Sequence, residues 1–266
     1  MDNDITITDK DIESVGGSTM YYIKKKYLFH ILFVSFIFLL FAILSKFPGF
    51  IFFPLLFFPF LYASVRENIM HFFMQDFAMT NSYKYQKMGL IKEIKAPYLQ
   101  MDGYRYIEDV VSGIYNNCPM RLFNFNCIIG SGKNTQHIIF TVCEIQYKTN
   151  LPRIILDSQP NIWTRDLAIE EFDIKDEEII SLEGDFNKYF TLYVPKGYEI
   201  EALQIFAPDV MAKLIDKAKM FSLEFLEDHL YIYSHHVIEK KSDLYSLYEL
   251  AKILIEELAP VLERLK

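Results

Sequence analysis

Residues 27–45 read YLFHILFVSFIFLLFAILS. The stretch holds no charged side chain, and its one histidine, His30, lies near its start. About 20 apolar residues at a 1.5 Å rise cross a hydrocarbon layer roughly 30 Å thick. A helix in the core of a soluble fold would keep a polar stripe, and this segment has none. It reads as a transmembrane helix. Residues 47–65, FPGFIFFPLLFFPFLYASV, are again uncharged. Only Lys46 separates the two runs, and Pro48-Gly49 follows, so the chain must turn back at once. Pro54 and Pro59 would break a helix in water, but in a membrane neighbouring groups re-satisfy the freed carbonyls. The expectation is a transmembrane helical hairpin over 27–65 with a kinked second span. A re-entrant or interfacial second segment is the competing reading. The long acidic leader, the length of the apolar run and the missing A-x-A-like site argue against a secretory signal peptide.

Orientation follows from the flanking cations. Lys24-Lys25-Lys26 precede the first run and Arg66 follows the second, while the turn between them contributes Lys46 alone. The side richer in Lys and Arg is normally cytoplasmic. Both termini are therefore expected inside, at a bacterial inner membrane. Residues 1–26 are polar and close to neutral, with four Lys against five acids, and read as a disordered cytoplasmic tail. Past the second run, Ile69, Phe72, Phe73 and Phe77 recur at helical spacing, which predicts a juxtamembrane helix over 66–95. This segment carries five basic and three acidic residues. Lys24, Lys25, Lys26, Arg66, Lys84 and Lys87 are the candidate membrane-surface residues. A cation near anionic headgroups contributes on the order of 1 kcal/mol. An ordinary solvated helix face is the alternative for the lysines after Thr80.

Residues 96–266 look like a soluble domain. Their 17 basic and 27 acidic side chains make them acidic, which argues against duplex nucleic acid as a partner. MRLFNFNCII and QHIIFTVCEIQY alternate in polarity around the turn GSGKNT, a hairpin signature. LPRIILDS and DFNKYFTLYVP add further strands. EALQIFAPDVMAKLIDKAKM is helical with a break at Pro208. FSLEFLEDHLYIYSHH reads as a second hairpin turning at Glu227-Asp228. The last segment is a helix with Ser242 as its N-cap and a buried stripe of Leu244, Leu247, Leu250, Ala251 and Leu254. Strands without regular βαβ alternation make an α+β domain on antiparallel sheet with a C-terminal helix.

Chemical motifs are sparse. Gly130-Ser131-Gly132-Lys133 lacks the preceding Gly and following Ser/Thr of a phosphate loop, where Cys127 and Asn134 stand, and reads as a hairpin turn. Adjacent residues in a strand face opposite ways, so His235 and His236 do not make a metal pair. Cys118, Cys127 and Cys143 have no CxxC spacing and read as reduced, mostly buried thiols. The acidic run Asp173–Glu178 reads as a solvated loop or helix start. Tyr231 and Tyr233 form an aromatic strand face, with core packing its default role. No cofactor and no metal are expected.

Two passages carry a resemblance. Glu108-Asp109-Val110-Val111-Ser112-Gly113-Ile114-Tyr115 resembles the acidic, then Ser/x-Gly, opening of the first strand in a bacterial family known as domain of unknown function 3137. Phe186-Asn187-Lys188-Tyr189-Phe190-Thr191-Leu192-Tyr193, followed by Glu201-Ala202-Leu203-Gln204-Ile205-Phe206-Ala207-Pro208, is similar to that family's phenylalanine-rich strand, Glu-Ala and Pro-started helix. The stretch between Lys95 and Tyr106 is shorter than the family pattern. The resemblance implies two membrane spans followed by a soluble domain, and carries no activity and no site residues.

The functional expectation is a membrane-anchored cytoplasmic module that binds a protein or lipid partner, or a second copy of itself. The alternative is a membrane-bound enzyme whose site has no sequence signature. A channel or transporter built from oligomerised hairpins is the weakest reading, because His30 is the one ionisable side chain in the spans apart from Lys46 at the turn.

Overall fold

The computed structural model describes residues 13–46, 53–158 and 177–264. They belong to two compact units, Met1–Phe77 with Glu239–Ser242, and Ala78–Ile238 with Asp243–Lys266. The first unit is helical. Helix α1 (Val15–Tyr22) widens into a π turn over Ile23–Tyr27 and runs on as α2 (Leu28–Ser45), which Lys46 ends in the left-handed conformation at φ 55°. Helix α3 (Phe53–Thr80) follows.

The structure corrects the expectation of disorder for residues 13–26, which are helical from Val15; residues 1–12 lie outside the described residues. Two local causes start the helix early. The Ser14 hydroxyl accepts the Gly17 N–H at 3.2 Å, an N-cap that the sequence analysis passed over. Val15 also donates to the Glu239 carbonyl at 2.7 Å and Lys241 to that of Glu13 at 2.9 Å, which clips the segment into a β-bridge.

Val15–Leu44 is, among the described residues, the one helix long and apolar enough to cross a membrane, and only 6% of its apolar window is buried. Phe29, Leu32, Phe33, Phe36 and Leu44 are all exposed. A continuous apolar surface of this kind marks a lipid or protein interface, not a helix in a soluble core. It anchors the chain. A second transmembrane helix is not shown. The Pro48-Gly49 turn lies outside the described residues, and α3 passes through Pro59 and Val65 into Arg66 and Glu67 before ending at Thr80.

The helix expected over 66–95 also stops at Thr80. Ser82 turns the chain at φ 59°, and Lys84 onward is strand. Ile69, Phe73 and Phe77 are buried as their spacing predicts, whereas Phe72 is exposed.

In the second unit, strands β1 (Lys84–Gly89), β2 (Tyr104–Tyr115), β3 (Cys118–Ile129), β4 (Gln136–Ser158), β5 (Glu177–Ile180), β6 (Phe190–Pro195) and β7 (Phe221–Ser234) form one antiparallel sheet. The order is β1-β2-β3-β4-β6-β5, with β7 paired to β4. Helices α4 (Glu199–Ile205) and α5 (Pro208–Lys217) precede β7, and α6 (Lys241–Arg264) follows it. Pro208 opens α5, where a missing N–H costs nothing. Leu244, Leu247, Leu250, Ala251 and Leu254 of α6 are buried as expected, but the helix starts at Lys241, so Ser242 lies inside its first turn. The acidic run at Asp173–Asp176 lies outside the described residues.

Two strand expectations fail for one reason. QHIIFTVCEIQY and LPRIILDS are a single strand, β4, with register shifts between Gln146, Leu151 and Ile154. The second hairpin does not exist: Glu227 opposes Leu151 at φ 52° and β7 continues through it. Between these paired positions β4 carries more residues than β7, so β4 bulges while β7 runs on with Glu227 in the left-handed conformation. Sequence shows a bulge and a turn as the same local break.

The sheet is filled on one face by Phe123, Phe125, Phe140, Val142, Tyr231 and Tyr233, packed beneath Tyr98, Leu99 and Met101 of the β1–β2 connection. At Gly113, a Cβ would lie 2.0 Å from the Tyr83 ring, which is held by a 2.9 Å hydrogen bond to the Tyr248 hydroxyl of α6. Gly113→Ala should therefore destabilise this unit by about 1–3 kcal/mol, the usual cost of overpacking, read as a lowered melting temperature. An unchanged melting temperature would mean that Tyr83 moves freely aside.

Candidate functional site

Towards one end of β3, β4 and β7 the aromatic face turns ionic. Side chains at i and i+2 of a strand share a face. Phe125, Phe123 and Arg121 are thus followed across the sheet by Phe140, Val142 and Glu144, then by Tyr233, Tyr231 and His229. The register confirms the rungs: Arg121 opposes Glu144, Glu144 opposes Tyr231, and Gln146 opposes His229. Pro119, Arg121, Glu144, Gln146 and His229 line a cavity of about 320 Å³.

Glu144 is its centre. It is 3% exposed. One carboxylate oxygen, Oε2, accepts from Arg121 Nε, and the other, Oε1, has no hydrogen-bond partner among the described residues. His229 Nε2 lies 3.8 Å from that second oxygen, too far for a hydrogen bond. The imidazole is oriented from behind by Asp228, whose Oδ1 is 2.7 Å from Nδ1, and the ring stacks on Tyr231 at 5.8 Å. Partial burial works to raise the Asp228 carboxyl, but hydrogen bonds from Gln146 at 2.9 Å and Lys95 at 3.1 Å outweigh it and hold the group well below its ordinary value. Lys95 also binds Glu227 at 2.8 Å, and its backbone N–H reaches the Tyr231 hydroxyl at 3.3 Å. Burial and the Glu144 carboxylate push that hydroxyl up, so it stays protonated.

A second ion pair lies along the same face. Arg153 Nε donates to Glu224 at 2.9 Å and the Tyr233 hydroxyl donates to its other oxygen at 2.5 Å. Burial pushes the Glu224 carboxyl up, against the opposing effects of Arg153 and Tyr233. On the opposite face a chain of side-chain hydrogen bonds runs across the sheet. Tyr85 donates to Asp109 at 2.8 Å, Asn124 to Asp109 at 3.3 Å, Thr141 to Asn124 at 2.8 Å, and the Ile238 N–H to Thr141 at 2.9 Å. Asp109 reaches this chain from a β-bulge at φ 55°. Its role is to fasten β1, β2, β3 and β4 to the segment after β7.

The residues singled out from sequence lie elsewhere. Lys24, Lys25 and Lys26 form an exposed collar on the π turn, with Lys26 Nζ bound to the Tyr22 hydroxyl at 3.0 Å and lying 5.8 Å over the Tyr27 ring, and Lys25 over Tyr21 at 5.5 Å. Arg66 pairs with Glu239 in the same unit. Lys84 and Lys87 are exposed on the edge strand β1 of the other unit, not on a helix. His235 and Ser158 share a 2.9 Å hydrogen bond, and Cys127 and Cys143 are buried free thiols. Among the described residues no cluster of three His, Cys, Asp or Glu could hold a metal. Arg121, Glu144, Gln146 and His229 stand in no recognisable sequence motif. They come from three strands and converge only through register, so no local pattern signals them.

No family model and no curated protein sequence matches the chain. Among solved structures it is similar to the crystal structure of the mycobacterial trehalose monomycolate transport factor A, TtfA, at 12% identity and a TM-score of 0.50. The match covers 71% of this chain and 93% of that one. The two share a fold.

Two outcomes test the electrostatics. Removing Arg153 strands a buried carboxylate, so Arg153→Ala should cost about 3–5 kcal/mol at pH 7 in chemical denaturation. The cost should shrink as pH falls and the raised Glu224 carboxyl takes up a proton, which removes the stranded charge; a pH-independent cost would refute the pairing. The His235 imidazole is lowered to about 4 from its ordinary 6.5, by burial first and His236 second. The unfolded chain then binds a proton that the folded one refuses, so this stability is complete above 6.5 and is lost as pH falls from 6.5 towards 4. His235→Gln should flatten the acid limb of the stability curve, and an unaltered limb would show that the ring charges in the folded state.

Proposed function

We propose that this chain is a two-span membrane anchor bearing an α+β unit that binds a protein or lipid partner at the cytoplasmic face of the inner membrane. The observation that carries the reading is the apolar surface of the helical unit. Leu56, Phe57 and Phe60 at the start of α3 are exposed, as are Phe29, Phe33 and Phe36 of α2. Helices α2 and α3 together line an apolar groove of about 420 Å³ formed by Tyr27, Val34, Phe38, Phe57, Phe58 and Leu61 among others. Residues near the start of α2 thus face the later turns of α3's apolar half, as an antiparallel hairpin requires. Above it lie Lys24, Lys25, Lys26 and three tyrosines, the cation–aromatic composition of a membrane–water interface. Arg66 then falls on the same side as this collar, which favours that side as cytoplasmic.

The neighbouring structure is named for trehalose monomycolate transport, and this supports a lipid-related role. The two-span family resemblance is part of the same proposal, since its order of anchor then sheet is the order found along this chain. A catalytic role is the second reading, favoured by the Asp228–His229 pair that presents Nε2 to the cavity as a general base would. Binding is preferred because no serine or cysteine lines that cavity.

Protease treatment of oriented vesicles carrying a C-terminal tag checks the topology. Digestion is expected only when the cytoplasmic face is exposed, and replacing Lys24, Lys25 and Lys26 by Gln should yield a mixed orientation. Digestion solely from the opposite face would overturn the two-span model.

A further inference from the structure

The groove between α2 and α3 has a length, a section and a polar end. On α2 its lining runs from Tyr27 through His30 and Val34 to Phe38. Eleven residues at 1.5 Å each make about 16 Å, close to half of a hydrocarbon layer roughly 30 Å thick. The groove therefore spans one leaflet. Spread over that length, its volume of about 420 Å³ gives a section of roughly 25 Å², about a third of the section of a helix 10 Å across. The space suits a slender apolar chain and is too narrow for a third helix.

Two features at the polar end say what that chain is attached to. The first is charge. Residues 14–45 hold no Asp or Glu, so nothing within this stretch offsets Lys24, Lys25 and Lys26. The Lys26 ammonium, 3.0 Å from the Tyr22 hydroxyl, lies 5.8 Å over the ring of Tyr27, where the groove begins. A cation at the mouth favours an anionic headgroup there. The second is His30, about 4.5 Å below Tyr27 along the helix axis and inside the groove. That is the depth at which glycerol ester carbonyls lie beneath a headgroup. Whatever its tautomer or charge, an imidazole carries at least one N–H. The side chains of Ile31, Val34, Phe38, Phe57, Phe58 and Leu61, which complete the lining with Tyr27, offer it no acceptor. A polar group beside hydrocarbon is costly unless it is paired, and an ester carbonyl would pair it.

We propose that this groove binds one anionic glycerophospholipid from the leaflet on the lysine side. One acyl chain lies against Val34, Phe38, Phe57 and Leu61, an ester carbonyl accepts from His30, and the phosphate sits beside Lys26 and its neighbours. The inference deepens the anchoring reading and rests on its two spans. It makes the anchor a selective lipid site as well as an apolar one.

The test is native mass spectrometry of the full chain released from neutral detergent micelles. The probes are dioleoyl phosphatidylglycerol, dioleoyl phosphatidylcholine, which has the same chains and esters without net charge, and glycerol 1-phosphate, which has the charge without the chains. One phosphatidylglycerol per chain should be retained, about fivefold or more tightly than phosphatidylcholine, and glycerol 1-phosphate should not be retained. Lys26→Gln should cut the preference for phosphatidylglycerol by about fivefold. His30→Phe keeps an aromatic ring without the N–H and should weaken both lipids alike, by about fivefold. Val34→Trp, which fills the groove, should abolish retention. Equal retention of the two lipids by the unaltered chain overturns the proposal even where a variant fails to fold. Undiminished retention by His30→Phe or Val34→Trp overturns it too, and so does a lipid-free dimer, which would assign the groove to a second copy. Protease digestion of the tagged chain in oriented vesicles separates this inference from the reading beneath it. Digestion from the cytoplasmic face without lipid retention refutes the lipid site and leaves the two-span anchor standing, whereas digestion solely from the opposite face removes both.

Discussion

The hydrogen-bonding capacity of β4 governs the sheet. This strand runs from Gln136 to Ser158 and is paired on both edges. Along one it meets β3 over its first half and β6 over its last residues, and along the other it meets β7 through two register shifts. Buried backbone donors and acceptors must be paired, so a strand this long can exist only where neighbours supply both ladders. The register shifts around Leu151 and Ile154, opposite Glu227, take up the extra residues of β4, and the ladder with β7 resumes beyond them.

That pairing also decides which charges become buried. Arg121, Glu144, Arg153 and Glu224 lie in strands whose hydrophobic neighbours are sealed beneath the β1–β2 connection. Burying a lone charge is costly, and each of these acids is matched to a guanidinium on an adjacent strand position. The two pairs are not equivalent. Glu224 has both oxygens engaged by Arg153 and Tyr233, whereas Glu144 has one oxygen turned towards a cavity. The first arrangement is closed and structural, and the second leaves room for a ligand.

Anchoring and recognition are separable in this molecule because they use different physics. The helical unit presents apolar side chains that water disfavours, under a ring of lysines and tyrosines suited to headgroups. The sheet unit is acidic in composition and holds an ionic cavity. Its lysines at positions 84 and 87 are on an edge strand, where charged side chains discourage further strand pairing.

Much of the architecture was legible in the chain itself. The uncharged run from Tyr27 to Ser45, the β3–β4 hairpin around Gly130, the break at Pro208 and the buried stripe from Leu244 to Leu254 all follow from local composition and period. The early start of α1 was less so: Ser14 is a fitting cap, but Gly16 and Gly17 beside it argue for a loop, and the deciding contacts come from Glu239 and Lys241. The merger of two expected strands into β4, the strand that replaces a hairpin at Glu227, and the cavity around Glu144 could be decided only in three dimensions. Each depends on register between segments distant in sequence, and register is set by pairing partners, which a one-dimensional pattern of polarity does not contain.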